Sequence, residues 1–430
     1  MLQYRTSITS VVRSLLYVWL ACASASAATF QTIYNFAGGT DGADPQSAPA
    51  IGPGGVIYGT TTSGGNTQGC NGLGCGTAFS LTPPTSSGGT WTKATLWVFG
   101  GPGDGAGPYQ GLTSAIGGAL YGVTAGGGSG ACTGGCGTVF SLSPPASDGG
   151  SWTEAVLHSF AGGSDGAGPT SALAIGPGGV LYGTTATGGT SNAGTVYSLT
   201  PPASAGDTWT ETVLCSFQGG VDDGATPMSV AIGHNGVLYG VTLSGGSKEG
   251  AGTVFSLSPP STPNGNWIQK VLYRFDGRNA GSAENPYTNL IGSGGVLYGT
   301  TNTVPTIFSL TPPSTAGDAW TEAVLCPSSV LGWNEPRGNL IMSPSSGTIF
   351  GASIFGGTSQ ACGSSGCGTV WALAPPSIAG GAWTFAVLHS FESTDGQAPF
   401  GGVSGGQGVL YGTAVTGGAY GQGTVFAIVD

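Results

Sequence analysis

The chain has 430 residues, with 85 Gly and 27 Pro, only 6% charged residues and a net charge of −11. That balance argues against a nucleic acid partner, whose affinity would come from Lys and Arg neutralising phosphates. A hydrophobic content of 39%, set in a regular repeat, excludes disorder and leaves the polar surface to Ser, Thr, Asn, Gln and backbone.

Residues 1–27 read as a secretory signal peptide. Arg5 and Arg13 precede the apolar run Ser14 to Ala23, and Ala25-Ser26-Ala27 forms a small-residue cleavage motif. The run is about half the ~20 apolar residues that a membrane span needs. Without Arg5 and Arg13, six basic residues face nineteen acidic ones. The expected location is therefore secreted, periplasmic or at the cell surface, with no transmembrane segment and with residues 28–430 forming one monomeric domain.

Next comes Phe30 to Phe36 (FQTIYNF), a strand with no partner nearby in the sequence. Beyond it a segment recurs seven times around Tyr58, Tyr121, Tyr182, Tyr239, Tyr298, Phe350 and Tyr411, each followed by Gly, at spacings of 63, 61, 57, 59, 52 and 61 residues. A period that long signals a repeat architecture. In the third copy four short runs can be read: A, Thr170 to Ile175; B, Val180 to Thr185; C, Gly194 to Leu199; and D, Trp209 to Phe217. Each is rich in β-branched and aromatic residues and bounded by Gly or Pro, as strands are. Strand C is closed by Pro-Pro in six copies, from Pro83-Pro84 to Pro375-Pro376, because proline cannot extend a ladder. Two residues after the Trp that opens strand D stand Lys93, Glu154, Glu211, Gln269 and Glu322. On an outermost strand such side chains are expected to blunt edge-to-edge association.

Seven sets of four antiparallel strands predict an all-β, seven-bladed β-propeller. The last copy has strands A to C only, so Phe30 to Phe36 is expected to supply its fourth strand beside Gly423 to Ile428 and close the ring. The segments Leu181-Tyr-Gly-Thr-Thr, Gly194-Thr-Val-Tyr-Ser-Leu, Val156-Leu-His-Ser-Phe and Asp165-Gly-Ala-Gly-Pro169 resemble the GloVer tandem repeat over nearly all of the chain after the signal. The resemblance implies an exported protein, often surface-anchored, and brings no assigned activity or catalytic residues.

Six cysteines form close pairs between strands B and C: Cys70 with Cys75, Cys132 with Cys136, and Cys362 with Cys367. In an exported chain these are expected disulfides. Cys215 and Cys326 share a strand D position with Tyr34, Trp97, His158, Tyr273 and His389, which reads as a packing slot. The loops from strand D to the next strand A carry Asp41, Asp104, Asp165, Asp223 and Asp395, each followed by Gly. Two readings apply: a ring of carboxylates that holds Ca²⁺ over the central opening, or Asp-Gly turns with no cofactor.

The repeat breaks down in copies five and six. The loops Asp276 to Pro286 and Pro327 to Pro336 lose the Asp-Gly-Ala-Pro pattern, and with their flanks they gather Arg278, Glu284, Trp333, Asn334, Glu335 and Arg337. An aromatic platform with polar neighbours suits a sugar or a peptide. The expected function is a non-catalytic binding or scaffold module for an extracellular glycan, peptide or protein. The alternatives are a propeller enzyme of lyase, lactonase or glycosidase type, and a structural surface-coat protein.

Overall fold

The computed structural model describes residues 28–66, 70–86, 88–100, 103–147, 149–204, 206–262, 265–277, 284–315, 317–331, 335–378, 380–406 and 408–429. The signal segment 1–27 and the candidates Arg278, Trp333 and Asn334 lie outside these residues. The chain forms a seven-bladed β-propeller of antiparallel sheets. Blade 3 shows the pattern: strand B, Leu181–Thr187, pairs with strand C, Thr195–Thr200, which pairs with strand D, Thr210–Ser216. Strand A departs from the predicted continuous run. In blade 3 it is two pieces, Ala167–Pro169 and Ala174–Ile175, interrupted where Thr170 and Ser171 turn their hydroxyls to Thr184.

Three features of the repeat explain the sheets. The glycine of each Tyr-Gly pair lies beneath an aromatic ring of strand C: a Cβ on Gly59, Gly183 or Gly351 would run into Phe79, Tyr197 or Trp371. The last Thr of strand B hydrogen-bonds the first Thr of strand C, in Thr61–Thr77, Thr124–Thr138, Thr185–Thr195, Thr242–Thr253 and Thr301–Thr306, each at 2.8 Å. Strand C is thereby buried on both faces with these threonine hydroxyls paired in those five blades, and each buried Phe or Val adds roughly 1.5–3 kcal/mol. Between blades, the ring of Tyr58 meets Trp152 of the next blade edge-on, as do Tyr121 and Trp209, Tyr182 and Trp267, and Tyr298 and Trp383.

The ring closes as the split copy predicts. Thr29–Asn35 pairs antiparallel with Thr424–Val429, strand C of blade 7. The three disulfides form, with Cα separations of 5.3, 5.1 and 5.1 Å for Cys70–Cys75, Cys132–Cys136 and Cys362–Cys367. One short helical turn, Ser328–Leu331, occupies the irregular loop that enters blade 6.

Candidate functional site

A proline stands before or within each strand A, and it explains where the next side chain goes. Pro108, Pro169, Pro227, Pro286 and Pro399 pack against the glycine that opens strand C of the preceding blade, namely Gly76, Gly137, Gly194, Gly252 and Gly368. Pro45 does the same against Gly423 across the closure. With φ fixed there, the following residues come to the ring axis: Gln46, Tyr109, Thr170, Met228, Tyr287 and Phe400 line a cavity of about 430 Å³. All seven blades contribute to its wall, so the cavity is the central channel, and these residues mark the mouth on the face of the D–A loops and B–C hairpins.

Arg337 holds the corresponding place in blade 6, after Pro336. Its guanidinium lies 4.5 Å from the ring centre of Tyr287 and 5.0 Å from that of Phe400. Those rings meet edge-on at 6.1 Å. Arg337 Nη2 donates to Glu335 Oε2 at 3.2 Å. Asn302, from the shortened hairpin of blade 5, donates to Glu335 Oε2 at 3.2 Å and accepts from Arg337 Nη2 at 3.0 Å once its amide is assigned the orientation that satisfies both neighbours. Arg337 Nε is buried without a hydrogen-bond partner. Of the residues singled out in the sequence, the structure thus brings Glu335 and Arg337 together. Glu284 begins strand A of blade 5 opposite Val304, two residues from Asn302.

The mouth is braced from blade to blade. Tyr109 Oη donates to the Pro169 carbonyl at 2.6 Å, Thr170 Oγ1 to the Pro227 carbonyl at 2.6 Å, and Ser229 Oγ to the Thr288 carbonyl at 3.3 Å. Asn289 Oδ1 accepts from Leu340 N–H at 2.9 Å. Burial pushes the Tyr109 phenol up to about 12, so it stays a neutral donor.

The Asp-Gly loops are built differently from a carboxylate ring around the axis. Asp41, Asp104, Asp165, Asp223 and Asp395 accept from backbone N–H groups of their own loops, at Ala37, Gly100, Ala161, Gln218 and Glu392. Four of them also reach back to strand D, to Tyr34, Trp97, His158 and His389. The glycine after Asp41, Asp104, Asp165 and Asp395 has positive φ, as such turns require. These residues fit a calcium site poorly, because the five carboxylates sit in the loops of different blades and their oxygens already accept local hydrogen bonds. Among the described residues no three of Asp, Glu, His and Cys gather as a metal cluster.

The strand D side chains expected to guard an outer edge instead face the neighbouring blade. Lys93, with a side chain only 7% exposed, donates to Asp41 Oδ1 at 2.8 Å. Gln269 donates to Asp223 Oδ1 at 2.7 Å and accepts from the Cys215 thiol at 3.2 Å. Glu322 accepts from Tyr273 Oη at 3.3 Å. Glu154 and Glu211 sit at the same place with one carboxyl oxygen each buried and unpartnered. The strand D to Asp contacts left a signal in the sequence as a near-constant interval, since Tyr34, Trp97 and His158 precede their Asp by seven residues and His389 by six. The channel ring had one too, in the variable residue after a repeated proline.

Known structures resemble the fold only. PorZ of Porphyromonas gingivalis, described as an essential bacterial surface component of the type-IX secretion system, is 14% identical with a TM-score of 0.51 over 89% of this chain. The chain spans 46% of PorZ's length. A protein from Lactobacillus plantarum matches at 13% identity and a TM-score of 0.48, over 82% of this chain and 98% of its own. The sialidase of Trypanosoma rangeli matches at 11% identity and 0.40, over 94% and 59%. No curated protein sequence matches the chain. The repeat itself is matched directly: the Gloeobacter/Verrucomicrobia repeat model covers residues 130–353, from the second blade into the sixth, and the chain belongs to that family.

Proposed function

We propose that this propeller is an exported, non-catalytic binding module that takes an extracellular glycan, peptide or protein at the mouth of its central channel. The observation that carries the reading is the ring of residues behind the strand A prolines, where Tyr109, Tyr287 and Phe400 line a cavity of about 430 Å³ and Arg337 packs on the rings of Tyr287 and Phe400. A concave, largely preformed pocket with aromatic walls and a few polar groups is what ligand sites have in common. Blade-to-blade hydrogen bonds hold the mouth in place, which lowers the ordering cost of binding.

Binding is favoured over catalysis because the described residues of the channel wall include no Asp, Glu, His or Lys. The carboxyls pushed to about 7, Glu154 and Glu211, belong to strand D and face neighbouring blades. Three disulfides suit an oxidising compartment, in keeping with export. No helix among the described residues is long and apolar enough to cross a membrane.

An array of glycans, peptides and extracellular proteins probed with residues 28–430 and with Arg337→Ala tests the reading. Binding that falls at least tenfold in the variant supports it. Binding indifferent to Arg337, or turnover of an arrayed substrate, overturns it.

A further inference from the structure

We infer that the mouth of the channel takes the terminal ring of a neutral saccharide, laid against Tyr287 and Phe400; the inference rests on the binding-module reading above. Arg337 fills the space beside both rings, at 4.5 and 5.0 Å, and fixes their perpendicular arrangement. Both rings also line the cavity, so their remaining surface forms a corner of two aromatic walls. A pyranose has one face of C–H groups that packs on such a wall and an equator of hydroxyls that needs hydrogen bonds.

The polar complement matches hydroxyls. Asn289 spends its carbonyl oxygen on the Leu340 N–H and keeps its amide N–H groups for the channel. Asn339, in the next blade, lines the same wall, and its side-chain amide makes no hydrogen bond among the described residues. An amide donates and accepts side by side, as a sugar hydroxyl does.

Charge and backbone argue against other ligands. The Arg337 charge is already matched by Glu335, and Asn302 bridges the pair, so the mouth has no unspent cation for an acidic group. A peptide held by strand addition needs a long free edge. Strand A offers two residues in blade 1, Ala50–Ile51, and two in blade 2, Thr113–Ser114, and its longer runs, Gly224–Ile232 in blade 4 and Pro336–Met342 in blade 6, each carry a proline and a break in register. A cavity of about 430 Å³ lies near the small end of the ~300–1,000 Å³ range of ligand pockets, which points to a chain end of one or two rings.

The test is calorimetric titration, with saturation-transfer NMR, of residues 28–430 using neutral oligosaccharides, uronic acid oligosaccharides and peptides of similar mass. Neutral sugars should bind with little change between 50 and about 300 mM salt, showing transfer to ring C–H protons. Tyr287→Leu, which keeps apolar bulk but loses the flat face, should weaken binding at least tenfold at an unchanged melting temperature. Asn339→Ala should weaken it severalfold. If peptides or uronic acids alone bind, and Tyr287→Leu abolishes it, the saccharide inference fails while the binding module stands. If no ligand responds to Tyr287→Leu or Asn339→Ala, both readings fail. Should Tyr287→Leu unfold, Asn339→Ala and Phe400→Leu decide in its place.

Discussion

Glu154 and Glu211 hold a place where other blades put a partner. Lys93 pairs with Asp41 there, and Gln269 with Asp223. Glu154 instead faces Trp97 and Asp104, while Glu211 faces His158 and Asp165. Burial first, and then the neighbouring Asp, pushes both carboxyls from 4.5 to about 7. A folded value above the unfolded one means a contribution fully present below the unfolded value and lost as pH rises through the folded one. Stability should therefore fall between about pH 5 and pH 8, by on the order of 1 kcal/mol per site once solvent screening is allowed for. At the acid end the sign reverses. Burial alone would raise Asp41, Asp165 and Asp395, but hydrogen bonds from Lys93, His158, His389 and the loop backbone outweigh it and hold them below 3.8, so their contribution is lost as pH falls. Thermal melts from pH 4 to 9 should peak in mild acid, and Glu154→Gln should flatten the neutral limb and raise the melting temperature at pH 8. An unchanged pH slope in Glu154→Gln would refute the assignment.

Among the elements, strands B and C were legible because their causes recur: a Gly that clears an aromatic ring, a Thr pair and a terminal Pro-Pro. Strand A was not, because it lies at the inner edge, where pieces as short as Ala174–Ile175 carry almost no pattern. The channel ring escaped for the opposite reason. Gln46, Tyr109, Thr170, Met228, Tyr287, Arg337 and Phe400 share a position but no single chemistry, and only the proline before them betrays it. Arg278, Trp333 and Arg337 all drew attention as part of the stretch where the repeat breaks, yet Arg337, which meets two aromatic rings, holds a position the repeat keeps, behind the strand A proline. The B–C hairpins make a separate prediction. Three carry a disulfide, whereas in blade 3 Asn192, at φ 55°, accepts from the Gly188 N–H at 2.9 Å and ties the loop non-covalently. Replacing both Cys132 and Cys136 by Ser should cost about 2 kcal/mol, the loop-closure entropy of so short a ring. Denaturation with and without reductant checks it: the double variant should lose the part of the reductant sensitivity that this bond supplies.

Across the whole molecule, stability depends on one strand whose neighbours are distant in sequence. Thr29–Asn35 gives blade 7 its outer strand and touches both adjacent blades. Toward blade 6, Phe30 stacks on His389 with ring centres 3.6 Å apart. Toward blade 1, Tyr34 and Lys93 both donate to Asp41 at 2.8 Å, and the Lys93 ammonium lies 5.9 Å from the Tyr34 ring and 5.8 Å from that of Phe36. Phe30 occupies the place that Lys93, Glu154 and Glu211 hold in other blades, so the blade 6–7 contact is apolar where theirs is polar. Phe30→Ala should then cost ~2 kcal/mol, less than a fully buried Phe because the ring is half-exposed. Deleting residues 29–36 should do far more, since it strips the ladder from Thr424–Val429 and opens the contacts on both sides. A circular permutant separates lost contacts from lost connectivity. Thr29 lies opposite Val429, so the two can be joined by a Pro-Pro connection copied from residues 201–209, with the chain reopened in that connection of blade 3. The permutant keeps every blade contact, and its melting temperature should stay within a few degrees of the parent, whereas the deletion should melt far lower. A deletion that melts with the parent, or a permutant that melts with the deletion, would show that closure does not rest on this strand.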